Sequence, residues 1–147
     1  MRVVVKGPSL NEIAKTVTTQ ITHEMESRSY KAANELRNAS QLVLRGQRHG
    51  RRYRVPATKR YYTASAPGEP PAVRTGHFRM SWQPRAYVVM GSYISRIESD
   101  LRTDNGQHTL GEILEKGTSR MAPRPYKDEI LAKAEPEIVR IYSKPYF

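Results

Sequence analysis

The chain contains no cysteine, which excludes a disulfide scaffold, a thiol nucleophile, an iron–sulfur cluster and any cysteine-type zinc site. Nothing in it approaches the roughly 18 consecutive apolar residues of a membrane span. The run Val3-Val4-Val5 near the start is far too short for the core of a signal peptide. Hydrophobic residues make up 37% of the 147, against about 45–50% in ordinary globular chains, so the expected core is modest and part of the stability is expected from partners. Internal repeats and low-complexity tracts are absent. The length suits one domain over residues 1–147.

Acidic residues are nearly missing from one region. Residues 45–96 hold eleven basic residues and a single acid, Glu69, so that this third carries almost the whole net charge of +11. Residues 1–44 contribute +2 and residues 97–147 contribute −1. The densest stretch comprises Arg45, Arg48, Arg51, Arg52, Arg54, Lys59 and Arg60, interleaved with His49, Tyr53, Tyr61 and Tyr62. Guanidinium groups pair with phosphates and rings stack on bases, so the pattern suits a polyanion without implying sequence readout. A solvated basic loop, or one facing an acidic neighbouring subunit, would have the same composition.

Helical and extended signals alternate along the chain. Ser9-Leu10-Asn11-Glu12 reads as a capping box. Apolar residues then recur at Leu10, Ile13, Val17, Ile21 and Met25, and again at Ala32, Ala33, Leu36, Ala39 and Val43. Steps of three and four mark one helical stripe over 9–45, ended by Gly46. Such a helix would be roughly 54 Å long, so a break near Ser27-Arg28-Ser29, or an end packed on a neighbouring subunit, is expected. Residues 46–76 read as a long, basic, proline-rich loop. From 77 onward Phe78–Trp82, Tyr87–Met90 and Tyr93–Glu98 read as strands, with a turn at Asp104-Asn105-Gly106. A short helix around Leu110, Ile113 and Leu114 stops at Gly117. An extended Met121–Pro125 follows, then a last helix carrying Ile130, Leu131, Ala134, Ile138, Val139 and Tyr142, in which Pro136 makes a kink or a new start. The class is α+β: long helix, small antiparallel sheet, short helix and C-terminal helix.

Motifs for chemistry are missing. There is no glycine-rich phosphate loop and no Gly-x-Ser-x-Gly elbow. His23, His49, His77 and His108 are scattered without a metal spacing. His23-Glu24 reads as solvated polar surface. A nuclease would need clustered acids for a divalent ion, and the candidates Asp100, Asp104, Glu112 and Glu115 read better as turn and surface residues. No catalytic residue, metal ligand or cofactor site is assigned, and the chain reads as a non-enzyme.

Two segments carry a resemblance. Ser65-Ala66-Pro67-Gly68-Glu69-Pro70-Pro71-Ala72-Val73, continuing Arg74-Thr75-Gly76-His77-Phe78-Arg79-Met80-Ser81, resembles the Ala-Pro-Gly-Glu-Pro-Pro … Thr-Gly-x-Leu-x-x-Ser segment of the tail-completion (head–tail joining, neck, minor tail) proteins of long-tailed bacteriophages. Leu114–Tyr126, with Gly117, Thr118, Met121, Arg124 and Pro125, is similar to that family's Glu-Phe-Gly-Thr-x-x-Met-x-x-Arg-Pro-Phe signature. Order and spacing agree. Lys116 departs from the family's aromatic, Phe78 replaces a leucine and Tyr126 a phenylalanine. Pro67, Gly68, Pro70, Pro71, Thr75, Gly76, Gly117, Thr118, Arg124 and Pro125 are thus structural motif residues. Arg124, between two prolines, is suited to a carboxylate on its own or a neighbouring subunit.

The resemblance implies a virion protein of the head–tail junction, assembled in the host cytoplasm of a phage or prophage. It would form a homo-oligomeric ring, six copies being the implied number, around the DNA channel. Stopper or adaptor proteins and tail-terminator or tail-tube proteins would be its neighbours. Arg48, Arg51, Arg52 and Arg54 are then expected near the lumen. A small nucleic-acid-binding protein, acting through the basic loop, is the alternative.

Overall fold

The computed structural model describes residues 6–103 and 105–146. In chain order the elements are α1 (Leu10–Arg45), β1 (Arg52–Arg54), β2 (Tyr61–Thr63), α2 (His77–Met80), β3 (Gln83–Val89), β4 (Ser92–Glu98), α3 (Leu110–Lys116) and α4 (Lys127–Tyr142). The class is α+β, with two separate two-stranded antiparallel sheets, β1–β2 and β3–β4.

The capping box forms as the sequence dictates. Glu12 N–H donates to Ser9 Oγ at 3.3 Å and Ser9 N–H donates to the Glu12 carboxylate at 2.7 Å, holding that carboxyl below its ordinary pKa. From there α1 runs for 36 residues without the break expected at Ser27–Ser29. Those polar residues face inward and find distant partners. Ser29 Oγ lies 2.9 Å from Ser95 Oγ on β4, and Arg28 is 2% exposed. The Arg28 guanidinium donates to Glu24 at 2.8 Å and to the Lys144 and Pro145 carbonyls at 2.6 Å each, and it lies 4.0 Å from the Tyr146 ring centroid. It clamps the chain's last described residues onto the middle of α1.

Only half of the α1 stripe is covered. Ala32, Ala33, Ala39 and Val43 are buried, whereas Leu10 is 84% and Ile13 45% exposed, and residues 10–23 are exposed throughout. The first turns of α1 thus project as an arm. The arm is roughly 20 Å long at 1.5 Å per residue.

The core gathers Ala39, Val43 and Leu44 of α1 with Trp82, Tyr126, Ile130 and Ala134, and Leu36, Phe78, Ile97, Leu114 and Ile138 pack against it. Phe78, Trp82 and Tyr126 form an edge-to-face trio with centroids 5.6–5.8 Å apart.

Two expected segments differ. Phe78–Trp82 is not a strand, because Gly76 at φ 88° opens the single turn α2 and Ser81 N–H closes it on the His77 carbonyl. Residues 46–76 are not simply loop, because β1 and β2 pair there as a hairpin, Arg52 opposite Thr63 and Arg54 opposite Tyr61.

The remaining elements follow their sequence signals. β3 and β4 pair from Gln83–Glu98 to Val89–Ser92 around a Met90-Gly91 turn, both residues at positive φ. Asp104 lies outside the described residues, but the Gly106 amide closes the turn on the Thr103 carbonyl at 2.7 Å. α3 stops at Gly117, where a Cβ would meet the Met121 carbonyl at 2.7 Å. α4 runs through Pro136 to Tyr142 as one helix.

Candidate nucleic-acid interface

The basic stretch is organised by the β1–β2 hairpin. Tyr53 and Tyr62 sit opposite one another with ring centroids 6.0 Å apart. The Arg52 guanidinium lies 4.7 Å from the Tyr61 ring and Arg51 lies 5.7 Å from Tyr53. The turn between the strands is closed by Val55 N–H on the Arg60 carbonyl, and Arg54 Nε donates to the Thr58 carbonyl at 2.8 Å. Val55 alone in this hairpin is buried, so Arg51, Arg52, Arg54, Lys59 and Arg60 stand in solvent, as does Arg45 in the last turn of α1.

Arg48 does not stand out with them but turns to nearby backbone carbonyls. Its guanidinium donates to the Val43 carbonyl at 2.7 Å, the Gln47 carbonyl at 2.8 Å and the Pro71 carbonyl at 3.3 Å. The Val43 carbonyl, in the last turn of α1, also accepts from the Gly46 amide at 3.3 Å, and the Pro71 carbonyl belongs to the proline pair; a cationic fork serves such acceptors well. Burial lowers the pKa of Arg48 from its ordinary value, while Glu129 and Glu69 oppose the shift.

The base of the hairpin is pinned by the one acid of the middle third. Glu69 accepts from the His49 amide at 3.0 Å and the Ala66 amide at 2.8 Å, and lies 2.6 Å from His49 Nδ1. The two backbone amides, joined by the imidazole, hold its pKa down to about 2. A lowered carboxyl stabilises above its unfolded value near 4.5 and loses that contribution as pH falls through about 2. The His49 and Ala66 amides are therefore expected to stay protected from hydrogen exchange until the pH drops below about 4.5, then to lose protection toward about 2. Glu69→Ala should expose both at every pH, and unchanged exchange in that variant would remove Glu69 from this role.

The two motif segments meet in space. Gly68 N–H donates to the Pro123 carbonyl at 3.2 Å, and within the second segment Arg124 N–H donates to the Leu114 carbonyl at 2.8 Å. Ser65 Oγ closes the proline loop on the Pro70 carbonyl at 2.6 Å, and Gly68 and Gly76 supply positive φ. Thr75, Pro67 and Pro71 line one cavity with Arg124. Among the described residues Arg124 forms no ion pair with its own chain.

That cavity, about 860 Å³, was not legible from the basic run. Arg74 and Arg79 from the first motif segment, Arg102 and Arg124 join Arg51 around it. The remaining candidates are surface and packing groups. Glu112 pairs with Lys116 at 2.8 Å, Glu115 accepts from the Tyr126 amide at 3.1 Å, and His23-Glu24 sits on α1 with Glu24 held by Arg28. Among the described residues no three His, Asp or Glu side chains converge as a metal site would require. No family model, curated protein or solved structure matches the chain.

The exposed hairpin cations make a measurable prediction. If the hairpin is where duplex DNA binds, changing Arg52, Lys59 and Arg60 together to Gln should leave the fold intact and lower the salt slope of that binding by roughly 3, one per lost phosphate contact. Fluorescence anisotropy across a salt series reads this directly, and an unchanged slope would place the contacts elsewhere.

Proposed function

We propose that the protein is a structural component of a phage neck. In this reading it completes the head-proximal end of the tail and joins it to the DNA-filled head, as a ring of its own copies around the DNA channel. What supports the reading is that the two segments carrying the resemblance, far apart in sequence, are joined by the Gly68–Pro123 hydrogen bond and by the edge-to-face contact of Phe78 with Tyr126. A uncovered aliphatic stripe on the arm and a cationic hairpin then serve as contact surfaces, for neighbouring neck or tail proteins and for DNA. The test is reconstitution. Purified protein added to a lysate of phage-infected cells lacking it should convert free heads and tails into infectious particles, and no gain in titre would count against the reading.

A second reading, a small nucleic-acid-binding protein without sequence preference, is favoured by the Arg–Tyr pairs on the β1–β2 hairpin. It predicts tight, salt-sensitive binding by the isolated chain. The neck reading predicts weak free binding, with assembly on cognate tail or neck proteins.

A further inference from the structure

The cavity has a chemistry of its own. Arg51, Arg74, Arg79, Arg102 and Arg124 surround it, and among the described residues no aspartate or glutamate lines it. Arg79 Nε is buried without an acceptor. Leu44, Phe78, Leu110, Leu114 and Met121 line it as well. A lining of arginines and apolar side chains fits a protein surface that alternates carboxylates with aliphatic side chains. It does not fit a phosphate backbone, which offers nothing to the apolar part.

The same chain displays such a surface. On α4 the residues Asp128, Leu131, Glu135 and Val139 are all exposed, Leu131 by 57% and Val139 by 58%. Their spacing of three, four and four places them on one helical face, beside the face that buries Ile130 and Ala134. Among the described residues neither Asp128 nor Glu135 has an ion-pair partner, and the same holds for the five arginines.

We propose that the α4 stripe of one copy docks into the arginine-lined cavity of the next. Leu131 and Val139 meet its apolar lining, while Asp128 and Glu135 meet its arginines. The cavity and the stripe are different surfaces, so the contact is head-to-tail and repeats from copy to copy, closing into a ring if the rotation allows. The inference rests on the self-assembling reading above and names the contact that would build it.

The absence of cysteine makes the test clean. Val73→Cys marks the cavity wall, Val139→Cys marks the stripe, and Met90→Cys at the fully exposed β3–β4 turn is the control; none of the three side chains is buried. Equal mixtures of single-cysteine proteins are treated with a short bismaleimide. The Val73/Val139 mixture should give roughly tenfold more cross-linked heterodimer than the Val73/Met90 mixture. Adding Arg74→Glu and Arg124→Glu to the cavity partner should remove that excess, and Asp128→Lys with Glu135→Lys on the stripe partner should restore it. Equal yields from the two mixtures, or no recovery on double reversal, would overturn the docking. A chain carrying both Val73→Cys and Val139→Cys separates the two ideas. A ladder ending at one size supports contact and ring together, and a ladder that continues without end keeps the contact and removes the ring.

Discussion

Replacing Tyr126 by alanine should cost about 3–5 kcal/mol, the range for deleting a large buried aromatic. Tyr126 is 1% exposed and completes the trio with Phe78 and Trp82. Its hydroxyl donates to the Gly111 carbonyl at 3.0 Å, and burial raises its pKa well above the ordinary value. Gly111 belongs to the same arrangement, because a Cβ there would lie 2.7 Å from that hydroxyl oxygen. In a chain with this few apolar residues such a loss is a large share of a total near 5–15 kcal/mol. Tyr126→Phe keeps the ring and should cost only about 1 kcal/mol, the net worth of one hydrogen bond. Urea denaturation of the two variants separates these values. An alanine variant within about 1 kcal/mol of wild type would mean that the trio is not the core.

Arg28→Ala should be the next most damaging single change, at about 3 kcal/mol. Removing one partner of a buried charged cluster costs roughly 3–5 kcal/mol, and the lower end applies because Glu24, the partner left behind, reaches water. The Lys144 and Pro145 carbonyls lose their donors, and Tyr146 loses the cation over its ring. Arg28→Lys keeps the charge but cannot reach both carbonyls and Glu24 as a planar fork, so it should recover only part of the loss. Faster hydrogen exchange confined to the end of α4 and the middle of α1 would be the signature in the alanine variant. Unchanged exchange there would contradict the clamp.

Local signals were legible and long-range pairings were not. The capping box at Ser9 and Glu12 and the stop at Gly117 depend on neighbouring residues, and each forms as the sequence implies, whereas Met90, read as the end of a strand, turns at positive φ with Gly91. Ser27-Arg28-Ser29 looked like an interruption because its partners are Ser95 and the carbonyls near position 145. Phe78 and Trp82 are four apart, a spacing shared by a strand alternating in twos and by one helical turn. Gly76 at positive φ decided for the turn. The β1–β2 hairpin escaped notice because each strand has three residues and none of those six is buried, so no burial pattern marks it. Of the basic run, Arg51, Arg52, Arg54, Lys59 and Arg60 stand out in solvent as their charge suggests, whereas Arg48 turns inward to carbonyls that composition cannot reveal. The cavity's arginines are drawn from four separate segments, so it has no local signature.

The most direct test of the proposed neck role is to delete the gene from a phage that carries it and examine the particles by electron microscopy, with plaque counts alongside. The account predicts normal heads and normal tails left unjoined, or joined particles that do not infect, with recovery when the gene is supplied in trans. Intact and fully infectious virions from the deletion would contradict it.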